Sequence, residues 1–368
     1  MSRNRTKNKV SKVSEVTPAG TGDDAVHWID ASTGRLPVKG LAWFDENGGS
    51  FSRLPLRAQP KVREAVWNLA QCPAGGSLAF RSNTADLIVR VRLPHTDFLS
   101  DMAPPGVAGL ELYCGTPGRM RSWTVAVPEL KDPCYERKLF GGLPRQMREF
   151  RLYLPLYCPL ASLHIGLTRG ARVLAPSAPD VPRPVVFYGT SITQGGCADS
   201  PGADAISMIG RRLNVETINL GFSGNGWGER ELAELCAEVE SSLFVLAYSE
   251  NVTAESLEQT LPVFVATLRA RQPQAPILLV TNLLFTGSQF DPQTLNTLER
   301  RRDAVIAFYV ARRRAGDGRI HLADGFGLLG DDDGLFTDGV HPTSHGFSQM
   351  AERLAPLIRR IVCGPGRD

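Results

Sequence analysis

The sequence predicts an antiparallel β-sandwich followed by a parallel α/β domain. Three observations support this: alternating apolar residues in short runs up to residue 176, a cluster of prolines next, and continuous apolar runs separated by helix-length segments beyond it. Alternation is typical of strands with one wet face, whereas continuous apolar runs are typical of strands covered on both faces. A chain of 368 residues is long enough for two such domains.

The predicted sandwich spans residues 27–176. In residues 86–93, Leu87 and Val89 face one way and the residues between them face the other. Pro155 lies in another such run and predicts an edge strand, because proline cannot donate to a central ladder. Similar short runs, separated by glycine- and proline-rich turns, lie at residues 77–80, 109–114, 122–127, 150–156 and 163–167. Regular short strands of this kind favour a sandwich.

Four prolines in residues 175–184 indicate a stiff linker, which we place at 177–184. Residues 185–368 then form the predicted α/β domain. Apolar strand-length runs lie at residues 185–188, 217–220, 243–247, 277–280 and 320–322, and helix-length segments lie at residues 229–239, 255–271 and 295–314. This alternation predicts a parallel sheet with helices on both sides, in which ligands bind beyond the carboxyl ends of the strands.

The charge is nearly balanced, with 41 basic and 38 acidic residues. Residues 1–13 hold five basic residues and no acidic one, so the remainder is slightly acidic. This distribution disfavours a dedicated nucleic-acid binder. We expect residues 1–26 to be a disordered basic tail, with contact to a nucleic acid or an anionic surface as the alternative. The tail lacks the apolar run of a secretory signal, and no run is long enough for a membrane span, so we expect no membrane partner. The seven cysteines are scattered with no Cys-x-x-Cys pair, which is typical of reduced thiols and predicts a cytoplasmic protein.

Polar motifs follow the first three predicted strands of the second half and precede its last helix. The first strand runs into Gly-Thr-Ser191, the second into Asn-Leu-Gly-Phe-Ser-Gly224, and the third into Tyr-Ser-Glu-Asn251. The fourth motif is Asp338-Gly-Val-His341. Each motif is weak alone, but together they predict one site at one edge of one sheet.

These motifs resemble the signature blocks of the SGNH (GDSL-type) hydrolase family, with Gly-Thr-Ser in place of Gly-Asp-Ser. The first half resembles the sandwich of a two-domain branch of that family. The resemblance implies a jelly-roll-like sandwich and a three-layer, flavodoxin-like α/β/α catalytic domain. It makes Ser191 the nucleophile, His341 the base and Asp338 the group that orients the base. It also implies an oxyanion hole formed by the Ser191 and Gly224 N–H groups and the Asn251 amide.

Four residues beside these motifs are candidates for the substrate pocket: Thr190, Asn225, Trp227 and Glu250. Glu250 stands where relatives often carry another residue, and it is either a solvated loop charge or a partner for a polar group. Trp227 either lines the pocket or packs.

The leading hypothesis is an ester hydrolase that acts on a small or carbohydrate-like ester through a covalent acyl-enzyme. An O-acyltransferase that moves the acyl group to an alcohol acceptor is the alternative, and a non-catalytic glycan-binding protein is the third. We expect a small-molecule ester or acyl donor as partner, no nucleic acid, no cofactor and no metal. His345, four residues after His341, is expected on the surface of the last helix. The sequence leaves the oligomeric state open.

Overall fold

The computed structural model describes residues 25–95, 99–129 and 132–364. The predicted basic tail therefore lies almost entirely outside the described residues. Within the described ranges, no helix is both long and apolar enough to cross a membrane.

Two antiparallel sheets make up the first half. Their strands are β1 (Val26–Asp30), β2 (Val38–Lys39), β3 (Ser77–Ser82), β4 (Leu87–Arg92), β5 (Leu110–Cys114), β6 (Arg121–Ala126), β7 (Cys134–Phe140), β8 (Arg148–Tyr153), β9 (Ser162–Thr168) and β10 (Val173–Leu174). One sheet has the order β1-β9-β4-β7; the other has β10-β3-β8-β5-β6, with β2 beside β3. Two short helices, α1 (Glu64–Ala70) and α2 (Pro104–Ala108), lie between strands. The inward-facing side chains of both sheets share one core, so the predicted sandwich is confirmed.

A five-stranded parallel sheet with the order β12-β11-β13-β14-β15 forms the second half. Its strands are β11 (Val185–Gly189), β12 (Thr217–Gly221), β13 (Leu243–Ala247), β14 (Ile277–Val280) and β15 (Ile320–Ala323). Its helices are α3 (Ser191–Gln194), α4 (Ala205–Leu213), α5 (Arg230–Glu238), α6 (Ala254–Arg271), α7 (Pro292–Arg314) and α8 (Ser344–Cys363).

Successive residues of the central strand β11 pack into different layers. Val185 and Phe187 share a core with α4 and α8, whereas Val186 and Tyr188 share one with α5, α6 and α7. Both faces of the strand are therefore covered, which explains its continuous apolar sequence. The α/β/α prediction is confirmed; the proposed domain boundaries stay a prediction.

The edge-strand prediction from Pro155 is wrong. β8 ends at Tyr153 and pairs with β3 on one side and β5 on the other. Pro155 lies after the strand, where its missing N–H costs no ladder hydrogen bond. The apolar alternation continues past the true end of the strand, because Leu154 and Leu156 are fully buried outside it.

The first half also covers the free edge of the parallel sheet. Arg53, in the segment between β2 and β3, is 1% exposed. Its Nη1 donates to the carbonyls of Asn219 and Gly221 on the edge strand β12, and its Nε and Nη2 donate to the carbonyls of Cys72 and Leu69 at 2.7 and 2.8 Å. Burial lowers the pKa of Arg53 to about 10, so the guanidinium remains charged at neutral pH. One buried cation thus ties residues 53–72 to the outermost strand, whose unpaired carbonyls would otherwise lack donors.

We predict that Arg53→Leu lowers the free energy of unfolding by at least about 3 kcal/mol, because several buried carbonyls lose their donors together. Chemical denaturation measures this. The matched control is Arg57→Ala, four residues later: Arg57 is half exposed and pairs with Glu46 and Glu238 at the surface. The control should cost less than about 1 kcal/mol. Equal losses in the two variants would show that the buried contacts of Arg53 do not stabilise the fold.

Candidate active site

Ser191 lies directly after the central strand of the parallel sheet. β11 ends at Gly189, and Thr190 caps the short helix α3 by accepting a hydrogen bond from Ile192 N–H at 3.2 Å. Position 189 must be glycine, because a Cβ there would lie 2.0 Å from Thr193 Oγ1 and 2.3 Å from the Ala247 carbonyl. The tight turn leaves Ser191 9% exposed at the carboxyl end of the sheet.

His341 and Asp338 lie on one turn before α8, and the structure brings both to Ser191. Ser191 Oγ is 2.8 Å from His341 Nε2, and His341 Nδ1 is 2.7 Å from Asp338 Oδ2. The other oxygen of Asp338 accepts from the main-chain N–H groups of Val340 and His341. Partial burial raises the pKa of Asp338, but these hydrogen bonds outweigh it and hold the pKa below its usual value. The carboxylate is therefore ionised beside the imidazole at neutral pH.

Gly224 and Asn251 belong to two adjoining loops. Gly224 has φ of +66°, a conformation that favours glycine. The Asn251 side-chain amide is oriented so that its Oδ1 accepts hydrogen bonds from the N–H groups of Asn225 and Gly226, each 3.1 Å away. This orientation leaves the Asn251 NH₂ group as the available donor, which is the group that an oxyanion requires.

The four pocket candidates occupy different environments. Thr190 is buried as a helix cap. The Asn225 side chain donates to the Ser223 carbonyl in its own loop and accepts a hydrogen bond from Arg63 at 2.7 Å. Trp227 is 41% exposed and donates from Nε1 to the Gly224 carbonyl at 2.8 Å, so it both packs against the loop and presents a free face.

The solvated interpretation of Glu250 is wrong. Its Oε1 accepts from Leu283 N–H at 3.3 Å, and its Oε2 is buried without a hydrogen-bond partner. Burial raises the pKa of Glu250 to about 7, although the N–H of Leu283 and the charge of Arg301 act in the opposite direction. At neutral pH the carboxyl of Glu250, next to Asn251, is therefore about half protonated. His345 is 61% exposed on the first turn of α8, as expected.

Two buried amide side chains that sequence reasoning missed connect the motifs. Gln194 donates to the Leu156 carbonyl of the first half and accepts from Ser223 N–H, each at 3.1 Å. Asn219 donates to the Thr193 carbonyl at 2.8 Å. Asn219 opens the second motif and Gln194 follows the first motif by three residues, so their positions were a usable signal.

Arg63, which was also not predicted from the sequence, belongs to the first half and binds the loop that carries Gly224. Its guanidinium donates to the side chain and the main-chain carbonyl of Asn225 and to Glu229, and it lies 3.5 Å from the centre of the Trp227 ring. Glu229 in turn accepts from Tyr188 Oη at 2.9 Å. No local pattern marks Arg63, because its partners lie more than 160 residues away.

The chain matches two family models. Residues 182–359 match the GDSL-like lipase/acylhydrolase family, and residues 26–173 match a model described as the N-terminus of SGNH-hydrolase-type esterases. No curated protein matches the chain significantly.

Solved structures share the arrangement over nearly the whole chain. A GDSL-like lipase from Bacteroides ovatus is 27% identical with a TM-score of 0.84, covering 92% of this chain and 98% of that one. The salicylyl-acyltransferase SsfX3 from a tetracycline biosynthetic pathway is 19% identical with a TM-score of 0.73, covering 93% and 99%. A family two carbohydrate esterase from Cellvibrio japonicus is 15% identical with a TM-score of 0.61, covering 92% and 98%. The last two likenesses show the fold alone.

The raised pKa of Glu250 predicts that the stability of the protein depends on pH. A carboxyl whose pKa rises from 4.5 unfolded to about 7 folded loses its contribution to stability as pH increases through that interval. Between about pH 5 and pH 9, the free energy of unfolding of the wild type should fall by about 2–3 kcal/mol relative to Glu250→Gln. Denaturation at both pH values measures this.

The control for this experiment is Glu258→Gln on α6, because Glu258 is exposed. It should leave the pH dependence of stability unchanged. A Glu250→Gln variant with the wild-type pH dependence would show that Glu250 titrates as an ordinary surface acid.

Proposed function

We propose a serine-dependent mechanism for this chain, which belongs to the SGNH (GDSL-type) hydrolase family and is an ester hydrolase or acyltransferase. The observation that carries the proposal is the hydrogen-bonded series Ser191–His341–Asp338, with distances of 2.8 and 2.7 Å. A neutral serine is a weak nucleophile, and a base within hydrogen-bond reach activates it.

In the first step, Ser191 Oγ attacks the carbonyl carbon of the ester and its proton moves to His341 Nε2. Asp338 stabilises the imidazolium through Nδ1. As the C–O bond to the leaving group breaks, His341 returns the proton to it, releasing an alcohol and leaving an acyl-serine. Water then attacks the acyl-serine by the same route, which releases the acid and restores Ser191.

The tetrahedral oxyanion requires donors that are in place before the reaction. We assign this role to the N–H groups of Ser191 and Gly224 and to the NH₂ group of Asn251. The amide orientation in which Asn251 Oδ1 accepts from Asn225 and Gly226 supports this role, because it leaves the NH₂ group available. The loss of one such donor typically costs about 2.7–4 kcal/mol of transition-state stabilisation.

Hydrolysis is favoured over transfer because the base is open to solvent. The side chains of His341 and Asp338 are 21% and 37% exposed, so water reaches the acyl-enzyme unless a bound acceptor displaces it. A cavity of about 410 Å³ abuts the same turn at Gly339, and its wall combines Phe290 and Phe336 with the acidic residues Asp331 to Asp333. This mainly polar cavity and the exposed ring of Trp227 suit a small or carbohydrate-like ester.

Labelling with a fluorophosphonate tests the mechanism. We expect one phosphonyl group on Ser191 and none on Ser191→Ala. His341→Ala should lower the labelling rate and kcat/KM for aryl acetates by about 10²–10⁴-fold, because the base is lost. The matched control His345→Ala should retain both rates, since His345 is exposed four residues later. Labelling that persists in Ser191→Ala, or equal losses in the two histidine variants, would contradict the proposed triad.

Assays with aryl esters and acetylated sugars, with and without added alcohols, then distinguish hydrolysis from acyl transfer to an alcohol. Release of free acid at a rate independent of the alcohol supports hydrolysis. Negligible release until an alcohol is added, followed by formation of a new ester, would make the protein an acyltransferase that uses the same residues.

A further inference from the structure

Three side chains that can bind a metal meet beside the proposed base. Asp101, Cys197 and His341 each offer one ligand atom, and these atoms all lie within 4.8 Å of one another. Asp101 comes from the first half, Cys197 from the loop after α3, and His341 from the turn before α8. The mechanism proposed above uses His341 alone.

Cys197 is held in an uncommon conformation that fixes its sulfur. It is 6% exposed, and its φ of +68° lies in a region that few residues other than glycine adopt. Its thiol lies 3.3 Å from the main-chain carbonyl of Asp101. A Cβ built on Gly196 would lie 3.3 Å from His341 Cδ2, so the chain passes the edge of the ring that carries Nε2.

The two nitrogens of His341 have different environments. Nδ1 faces the Asp338 carboxylate at 2.7 Å, so a metal would bind Nε2, in place of the hydrogen bond that Nε2 makes with Ser191 Oγ at 2.8 Å. A carboxylate on the far nitrogen is the usual outer partner of a zinc-bound histidine, because it fixes the tautomer and raises the basicity of the ligand. The triad thus already holds one zinc ligand in a suitable arrangement.

We propose that Zn²⁺ binds Asp101, Cys197 and His341 Nε2 and reversibly inhibits the enzyme. The inhibition, unlike the binding, rests on the function proposed above. In tetrahedral zinc sites the ligand atoms lie about 3.5–3.8 Å apart, so a shift of about 1 Å closes this cluster. Asp101 is exposed, so its side chain can move toward the other two ligands.

Binding replaces the Cys197 S–H bond with a zinc–thiolate bond and releases the proton to solvent. The metal occupies the Nε2 lone pair, so His341 can no longer accept the proton of Ser191. Thiolate and imidazole are soft or borderline ligands and select zinc over magnesium and calcium. We therefore expect inhibition by Zn²⁺ and none by Mg²⁺ or Ca²⁺.

Co²⁺ serves as a spectroscopic probe of the site without reference to activity. The wild type should show a thiolate-to-cobalt absorption band that saturates at one Co²⁺ per chain, and chelator-buffered Zn²⁺ should abolish it. Cys197→Ser should lack the band and bind Zn²⁺ at least about 100-fold more weakly, because even the loss of an outer partner costs 10–100-fold. Asp101→Asn should weaken binding. The control Cys134→Ser changes an exposed cysteine outside the cluster and should behave as the wild type.

Ester hydrolysis measured in the same Zn²⁺ buffers completes the test. Cys197→Ser should keep its basal activity and resist Zn²⁺. A cobalt–thiolate band that depends on Cys197 in a protein without esterase activity would retain the metal site and overturn the proposed function. Active enzyme with no such band, or with equal Zn²⁺ inhibition of Cys197→Ser, would overturn the metal site and leave the function standing.

Discussion

Guanidinium groups from the first half hold the loop that carries Gly224, and the shape of the site depends on this interaction. Arg53 fixes the end of β12 through the carbonyls of Asn219 and Gly221. Arg63 fixes the following residues through Asn225 and Glu229. A loop with a positive φ at Gly224 can adopt many conformations. The planar guanidinium group of arginine stabilises one of them by donating to several acceptors at once. The first half is therefore part of the proposed active site rather than an attachment to it.

The same interface explains why the proposed catalytic motifs keep their relative positions. Tyr157 Oη lies 3.5 Å from the Ser191 carbonyl, and Gln194 joins the sandwich to the Gly224 loop. The first half contacts the Ser191 carbonyl and the loop of Gly224, while the turn before α8 carries His341, the proposed base. Acyl transfer requires these three parts to stay within fractions of an ångström during the reaction. Packing the site between two cores meets that requirement.

The fold class could be predicted from the sequence because its signals are local, and the proposed triad could be predicted because short motifs resemble those of a known family. Strand periodicity, the proline cluster and the spacing of Asp338 and His341 each lie within a few residues. Arg53 and Arg63 could not be predicted, because they bind acceptors over 160 residues away and look like ordinary surface arginines. The prediction that Glu250 is a solvated loop charge failed for the same reason, because only the tertiary fold brings Leu283 and Arg301 near it. Strand β7 was missed because its charged residues, Glu136, Arg137 and Lys138, mask the buried Tyr135 and Leu139.

The first half shapes the proposed oxyanion loop, and the kinetics of Arg63→Ala test this dependence most directly. With aryl acetate as substrate, kcat should fall by about 10–100-fold while KM changes little, because a displaced donor weakens transition-state binding rather than substrate binding. Arg63→Lys should not restore kcat, because an ammonium cannot bridge Asn225 and Glu229 as a planar fork does. A kcat within twofold of the wild type in a folded Arg63→Ala protein would contradict the claim.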